Sequence, residues 1–250
     1  MTPATGASST VDPAEIAKFA AMADAWWDPD GKFKPLHVLN PVRLGYIRDQ
    51  LCAHFGRDPR SVTSLAGLAL VDIGCGGGLI CEPMARLGAA VTGIDAAEKN
   101  IAVAGAHAAG QELAIDYRAV TAEALAAEGA RFDVVLNLEI IEHVADPPAF
   151  IAASAALLKP GGVMVTSTLN RTARAFALAV VGAEYVLRWL PRGTHDWRKF
   201  VKPSELARYL RQAGLEMRDL TGLVYRPGAG WTLDRHDVAV NYLMLSVNPG

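Results

Sequence analysis

Two glutamates and a histidine directly follow an apolar run near the middle of the chain. The stretch FDVVLNLEIIEHVADP covers residues 132–147, and its apolar first half has the composition of a buried strand. Glu139, Glu142 and His143 stand at positions i, i+3 and i+4, so a helical turn beginning there would place all three on one side. Such a trio can hold a divalent cation, and for magnesium it leaves about three octahedral positions for water or substrate. Alternatively, His143 acts as a metal-free general base, or the trio has a purely structural role.

The elements around this cluster alternate between short apolar runs and helical segments. Strands are predicted at 68–74, 90–96, 113–120, 132–138, 163–169, 215–225 and 237–247, and helices at 13–28, 41–55, 78–88, 99–110, 147–162 and 203–217. In the middle of the chain this alternation predicts a parallel sheet covered by helices on both faces. The glutamates and the histidine then follow the fourth strand and face the cleft at the carboxyl edge of the sheet.

Composition restricts the class of protein. The chain has 250 residues, of which 51% are hydrophobic and 20% charged, and this indicates a globular protein. The net charge of −2 gives no sign of a nucleic-acid partner. The three cysteines lack the spacing of a zinc site or a disulfide framework, so we expect them to be reduced in the cytosol. Residues 1–12 resemble neither a signal nor a transit peptide and are predicted to be disordered.

A glycine-rich stretch, VDIGCGGGLI at 71–80, lies where the first strand meets its helix. The dinucleotide pattern G-x-G-x-x-G/A fits it poorly, because its last position would be Leu79. The pattern D/E-x-G-x-G-x-G is matched in full by Asp72, Gly74, Gly76 and Gly78. Asp95 ends the next strand, where an acid can accept hydrogen bonds from both ribose hydroxyls of a nucleoside. The alternative is a structural turn followed by a helix cap at Asp95.

The second glycine pattern resembles the S-adenosylmethionine site of class I methyltransferases. Over nearly its whole length, the chain resembles the family of ubiquinone-biosynthesis O-methyltransferases. The matching segments are AWWDPDGKFKPLHVLNPVRLGYI (25–47), VDIGCGGGLICEPMARLGAAVTGID (71–95), LEIIEHVADP (138–147), KPGGVMVTSTLNRT (159–172), THDWRKFVKPSEL (194–206) and AVNYLM (239–244). The implied fold is a Rossmann-like α/β fold, with a seven-stranded, mostly parallel sheet and an antiparallel last strand. An N-terminal helical lid at 13–60 would precede a methyltransferase domain at 61–250.

The resemblance implies S-adenosylmethionine as the cofactor. Its contacts are expected at Arg43, Gly74, Asp95 and Leu138, together with Asp72 and Gly76 of the glycine loop and, for adenine, the backbone around Ala122 and Glu123. Arg43 is expected to pair with the cofactor carboxylate from the lid; by itself it would be interpreted as a solvated helix arginine. Leu138 would otherwise be interpreted as a core residue.

The expected reaction is O-methylation of polyprenyl catechols, at both such steps of ubiquinone synthesis. A catechol could fill two positions of a magnesium ion held by Glu139, Glu142 and His143, and the metal would stabilise the phenolate near pH 7. His143 and Glu142 are the expected catalytic residues. The alternatives are a methyltransferase for another small molecule, a non-catalytic lipid- or partner-binding protein with this fold, and a nicotinamide dehydrogenase.

An insertion at about 170–200 contains a mostly apolar stretch, 173–190, that arginines flank and interrupt. It suits either a helix in the interface of an anionic membrane or a plain cover over the active site. By the resemblance, the protein is expected in the cytoplasm, peripherally associated with the inner membrane. Its expected partners are the polyprenyl catechol or demethylubiquinol substrate and a ubiquinone-synthesis complex.

Overall fold

The structure is a computed structural model that describes residues 10–178 and 196–250. Its helices are α1 (Pro13–Ala20), α2 (Lys34–Phe55), α3 (Cys81–Arg86), α4 (Glu98–Gly110), α5 (Ala122–Ala127), α6 (Pro147–Ala156), α7 (Ala173–Ala175) and α8 (Pro203–Gln212). Its strands are β1 (Ala69–Ile73), β2 (Ala90–Ile94), β3 (Asp116–Arg118), β4 (Phe132–Leu138), β5 (Leu158–Leu169), β6 (Glu216–Arg226), β7 (Gly230–Asp234) and β8 (Asn241–Val247). Short 3₁₀ turns occur at Ala23–Ala25, Ile141–His143 and Trp197–Lys199.

Within the described residues, one eight-stranded sheet has the order β3-β2-β1-β4-β5-β8-β6-β7. Strands β1 to β5 pair in parallel, and β8 lies antiparallel between β5 and β6. The predicted Rossmann-like sheet with an antiparallel last strand is therefore confirmed. The predicted number of seven strands is wrong, because β7 folds back on β6 as a hairpin at the edge of the sheet.

Both faces of the sheet are buried, as expected for parallel strands between helices. Successive residues of β1 point to opposite faces, so Leu70 belongs to one core cluster while Val71 and Ile73 belong to the other. Helix α2 covers the first cluster and helices α6 and α8 cover the second. Each fully buried aliphatic side chain contributes about 1.5–3 kcal/mol to folding, so this double layer holds the strand ends in fixed positions.

Helix α2 differs from its prediction at its beginning. Pro41 was expected to lie in its first turn, but the helix begins at Lys34 and Pro35 takes that position, with Pro41 inside the helix. The predicted helix 13–28 is also divided, since α1 ends at Ala20. Helix α5 was not predicted at all. The helix predicted at 147–162 ends at Ala156, and its expected terminal turn is part of β5.

The first described residues are ordered by contacts with the segment after β4. Val11 pairs with Val144 in an isolated β-bridge, and the amide of Ala145 donates to the carbonyl of Thr10 at 2.7 Å. Thr10 is buried. The prediction of disorder over 1–12 is therefore wrong for Thr10 and Val11, while residues 1–9 lie outside the described part. In residues 10–178 and 196–250, no helix combines the length and the apolar character needed to cross a bilayer.

Candidate active site

A cavity of about 800 Å³ opens at the carboxyl edge of the sheet. It lies within the range of about 300–1,000 Å³ that is typical of ligand pockets. The N-terminal helices, the glycine loop, the residues after β2 and β4, the start of α5 and the β6–β7 hairpin contribute to its walls. Every residue predicted to contact cofactor or substrate lines this one cavity.

The glycine loop has a backbone that side chains would disturb. Gly74, Gly76 and Gly78 have φ of +71°, +54° and +87°, in the left-handed region that favours glycine. A Cβ at Gly74 would lie 2.1 Å from Cδ1 of Ile140. Because these glycines have no side chains, their backbone itself forms part of the cavity wall. A nucleoside cofactor requires such a close approach to the backbone.

Asp95 follows β2 and is held by three donors. One of its oxygens accepts from the amide of Gly76 at 3.1 Å, and the other from the amide of Ala97 at 2.8 Å and Nδ2 of Asn100 at 3.2 Å. Burial raises the pKa of Asp95, and these hydrogen bonds oppose the shift. A carboxylate has about four lone-pair sites. Asp95 is therefore oriented and retains acceptor capacity for hydroxyl groups.

Asp72, the acid that begins the glycine motif, is buried near the end of β1. Burial raises its pKa to about 7, although the thiol of Cys81, at 3.4 Å, and the charge of Arg43 oppose the shift. Asp72 thus holds its proton much more strongly than an exposed aspartate does. A cationic ligand beside it would favour the carboxylate.

Arg43 projects from α2 into the cavity and is only 3% exposed. Its Nη2 donates to Oδ1 of Asn40 at 2.5 Å, and its Nη1 lies 3.5 Å from Oε1 of Glu139. Over the described residues, Nε and Nη1 have no hydrogen-bond partner. The interpretation as a solvated arginine is therefore wrong. Buried guanidinium donors without a hydrogen-bond partner suit a carboxylate ligand.

Glu139 and Glu142 form a carboxyl pair beside Arg43. Oε1 of Glu139 accepts from Oγ of Ser167 at 2.8 Å and from Nδ2 of Asn241 at 3.1 Å. Oε2 of Glu142 accepts from Oγ1 of Thr168 at 2.7 Å. Burial and the charge of Glu139 raise the pKa of Glu142 well above its usual value. Glu142 therefore holds a proton more strongly than an exposed glutamate does.

His143 is held by a residue that the sequence interpretation missed. Its Nδ1 lies 3.0 Å from Oε2 of Glu15 in α1, and the ring packs edge-on against Phe19 at a centroid distance of 5.1 Å. The hydrogen bond with His143 lowers the pKa of Glu15 to about 2. Glu15 is therefore a carboxylate at any physiological pH. It orients the imidazole much as the acid of a catalytic triad does.

The three predicted magnesium ligands, Glu139, Glu142 and His143, point to different partners in this arrangement. The turn Ile141–His143 is 3₁₀ and Glu139 precedes it with a φ of +55°, so the expected α-helical face is not formed. Glu139 and Glu142 are engaged by β5 while the Nδ1 of His143 faces Glu15. In the described part of the chain, no three His, Cys, Asp or Glu side chains are grouped to hold an ion.

The far end of the cavity is formed by the start of α5. Oγ1 of Thr121 accepts from the amide of Ala124 at 3.3 Å and caps this helix. Ala122 and Glu123 line the cavity, as expected of residues near adenine, and the Glu123 carboxylate accepts from the amide and hydroxyl of Thr10. Leu138 is partly buried and also lines the cavity.

Comparisons with known proteins agree with this architecture. A family model described as a methyltransferase domain matches residues 47–220. The ubiquinone biosynthesis O-methyltransferase of Dinoroseobacter shibae is 58% identical over 97% of this chain and 98% of that protein. The protein of the same name from Cereibacter sphaeroides (strain KD131) is 60% identical over 96% of this chain and 98% of its own length. The chain belongs to the ubiquinone biosynthesis O-methyltransferase family.

Solved structures support the fold of this methyltransferase. Magnesium protoporphyrin IX methyltransferase from Synechocystis PCC 6803 with bound SAH superposes with a TM-score of 0.61 at 21% identity, over 92% of this chain and 94% of that one. The same enzyme with bound SAM gives a TM-score of 0.62 at 18% identity, over 96% and 99%. The family expected from the sequence is confirmed, and a nicotinamide dehydrogenase is wrong.

Proposed function

We propose that this methyltransferase transfers the methyl group of S-adenosylmethionine to a hydroxyl of a polyprenyl catechol, at both O-methylation steps of ubiquinone biosynthesis. One observation carries the proposal. The glycine cradle with the partly unpaired Arg43 and the Glu15–His143 pair open into one cavity. The names of the relatives supply the pathway.

In the cofactor half of the cavity, different residues suit different parts of S-adenosylmethionine. Arg43 would bind the carboxylate and Asp95 the ribose hydroxyls, while Ala122 and Glu123 would offer backbone groups to adenine. Leu138 supplies an apolar surface, and Asp72 beside Gly74 favours positive charge. When bound, the cofactor supplies a methyl group on a positively charged sulfur.

The substrate half prepares an aromatic hydroxyl. A neutral phenol has a pKa near 10 and is a weak nucleophile at pH 7. His143 accepts its proton at Nε2, because Nδ1 is turned to Glu15, and the carboxylate of Glu15 stabilises the resulting imidazolium. As the phenolic oxygen attacks, its bond to the methyl carbon forms and the carbon–sulfur bond breaks. Glu142 lines the same cavity and would contact the second catechol oxygen.

Product analysis tests the reaction. Methyl-labelled S-adenosylmethionine and a farnesyl catechol should yield a labelled methyl ether, identified by mass spectrometry. Methylation of a soluble catechol but not of the prenylated one would contradict the proposed substrate, and labelling on ring carbon would contradict O-methylation.

The same assay with EDTA, and then with added magnesium, separates the two proposed roles of the acidic cluster. Activity that survives chelation supports His143 as a metal-free base. Activity lost with EDTA and restored by magnesium alone would instead assign Glu139, Glu142 and His143 to a metal ion. That result would require His143 to leave Glu15.

We further propose that the enzyme meets its substrate at an anionic membrane surface. Of the apolar stretch 173–190 the structure describes the first residues, where Phe176 and Leu178 are exposed beside Arg174. Residues 179–190 lie outside the described part. Sedimentation with anionic liposomes should bring down the whole chain but not a variant lacking 173–190. Equal sedimentation of both forms would exclude this role.

A further inference from the structure

The cavity extends beyond the catalytic residues to the hairpin that the sequence did not predict. Leu223 and Tyr225 of β6 and Trp231 of β7 line it. Tyr225 lies directly opposite Trp231 in the hairpin, with ring centroids 5.7 Å apart and an interplanar angle of 65°. This edge-to-face pair forms a stable aromatic wall.

The wall continues from the core to the surface. Leu223 and Tyr225 are two residues apart on β6, so they share a face and are separated by about 7 Å along the strand. Leu223 is 1% exposed and Tyr225 is 50% exposed. An apolar ligand that begins in the catalytic part of the cavity could therefore follow this face outward while remaining in contact with hydrocarbon.

The opposite side of this end of the cavity is also apolar. Helix α2 packs against β7 and contributes Val38 to the lining. Val38 is 51% exposed, which is unusual for a large aliphatic side chain in a cavity wall. Three cations near this surface are paired with carboxylates: Arg174 with Asp237 at 2.8 Å, Arg226 with Asp234 at 2.6 Å and Lys34 with Asp30 at 2.8 Å. The surface is therefore suited to an uncharged hydrocarbon.

We propose that Leu223, Tyr225, Trp231 and Val38 form the subsite for the first isoprene units of the polyprenyl chain, guiding it out of the cavity over the β6–β7 hairpin. This inference rests on the proposed function, because it names the path of that substrate's tail. The aromatic ring of the substrate then lies near His143, and the tail leaves in the direction of the hairpin.

Binding measurements test the subsite independently of turnover. Dissociation constants for catechol and for farnesyl catechol are measured by isothermal titration calorimetry in the presence of S-adenosylhomocysteine. The variants are Tyr225→Ser and Trp231→Ser, and the control is Met217→Ser, an exposed apolar residue of the same strand outside the cavity lining. We expect the wild type to prefer the farnesyl compound at least about tenfold, which is the ratio that about 1.4 kcal/mol produces.

The two serine variants should lose most of that preference and bind catechol within about twofold of the wild type, whereas Met217→Ser should keep the preference. Unchanged binding of S-adenosylhomocysteine verifies the fold of each variant. A preference that persists in both variants, or equal losses for both ligands, would overturn the subsite. If tail-dependent binding is lost as expected but the wild type methylates neither compound, the subsite stands and the proposed function fails.

Discussion

The buried guanidinium of Arg43 has too few hydrogen-bond and charge partners, and this deficit indicates a ligand. Burying a guanidinium is unfavourable by several kcal/mol unless charged and hydrogen-bonded partners compensate. Asn40 and Glu139 satisfy only part of this requirement, and burial lowers the pKa of Arg43. A carboxylate ligand that accepts from one of the donors left without a hydrogen-bond partner would complete it.

Replacing Arg43 with methionine should weaken cofactor binding without unfolding the protein. A charge-assisted hydrogen bond contributes about 1.5–3 kcal/mol, so the dissociation constant of S-adenosylhomocysteine should rise roughly 10- to 150-fold. The ligand-free variant should melt at a lower temperature than the wild type, because Glu139 loses its buried counter-charge. Arg48→Met, in an exposed position of the same helix, is the matched control for calorimetry. Equal affinity in Arg43→Met and wild type would contradict the assignment.

The Glu15–His143 pair gives a second prediction. His143→Gln should lower kcat by about 10²–10⁴-fold, the usual contribution of a general base. Glu15→Gln should also lower kcat, but less, because it leaves the base in place and removes only its orientation and charge compensation. The KM for S-adenosylmethionine should not change in either variant.

Lys18→Gln is the control for the positioning role, because Lys18 shares α1 with Glu15 and lies 3.5 Å from its carboxylate. It should leave kcat unchanged. Wild-type kcat in Glu15→Gln, or an equal loss in Lys18→Gln, would show that Glu15 does not position the base.

The individual site residues differ in how far the sequence could predict them. Gly74, Gly76 and Asp95 follow from local patterns, since each must stand where a strand ends. Glu15 could not be predicted, because its partner is 128 residues away and only tertiary packing brings the two together. The metal prediction assumed an α-helical turn after β4, and the positive φ of Glu139 prevents it.

At the scale of elements, the lid and the glycine loop depend on each other. Nε1 of Trp26 donates to Oδ1 of Asn100 at 3.0 Å, and Nε1 of Trp27 donates to the carbonyl of Gly77 at 2.9 Å. A Cβ at Gly77 would lie 2.4 Å from Cβ of Trp26. The absence of a side chain at Gly77 therefore makes room for Trp26 of the N-terminal segment.

Gly77→Ala should displace the lid. Its φ is outside the left-handed region, so the clash with Trp26 is the main effect, and overpacking of this kind costs about 1–3 kcal/mol. Hydrogen–deuterium exchange should increase in α1 and at the start of α2 but not in β1 or β4, and the cofactor should dissociate faster. Gly105→Ala, whose Cβ would meet no atom within 4 Å, is the control and should be neutral or stabilising. Unchanged exchange in the Gly77 variant would contradict the interlock.

Helices and strands whose apolar residues follow a clear pattern could be predicted from the sequence. Elements whose position depends on tertiary contacts could not. Strands β1, β2 and β4 are apolar runs that end in turn residues, so their positions are evident from the sequence. Strand β7 is short and follows a turn with glycines at positive φ, and its pairing with β6 places Tyr225 opposite Trp231. The start of α2 was misplaced because Pro35 and Pro41 both suit a first turn.

For the whole molecule, the buried acid of the glycine motif predicts a dependence of stability on pH. The pKa of Asp72 is raised from 3.8 to about 7, so the folded protein retains a proton that the unfolded chain releases. The stability linked to this group is complete below the unfolded pKa and is lost as the pH rises through the folded pKa.

Asp72→Asn removes that dependence. Between about pH 5 and pH 8, the wild type should lose roughly 2–3 kcal/mol of unfolding free energy, at about 1.4 kcal/mol per pKa unit, and the ligand-free variant should not. The difference between variant and wild type should therefore change by that amount. Urea denaturation at the two pH values measures it. Asp116→Asn, on the exposed position of β3, should show no such change. A constant difference between Asp72→Asn and wild type would contradict the raised pKa.

The overall architecture was the most predictable level, because alternating strands and helices restrict a chain to few topologies. The sheet order places the glycine loop after β1 beside the ends of β2 and β4, and this brings Asp95 and Glu142 to one cavity. The position of the N-terminal helices over that cavity depends on individual contacts such as Trp26 with Asn100, for which the sequence carries no periodic signal.

A crystal structure of the complex with S-adenosylhomocysteine and a farnesyl catechol tests the central claim most directly. The predicted result has the cofactor's carboxylate on Arg43, its ribose on Asp95, and one catechol oxygen within hydrogen-bonding distance of Nε2 of His143. A cofactor bound away from the glycine loop, or a catechol ring remote from His143, would contradict this account.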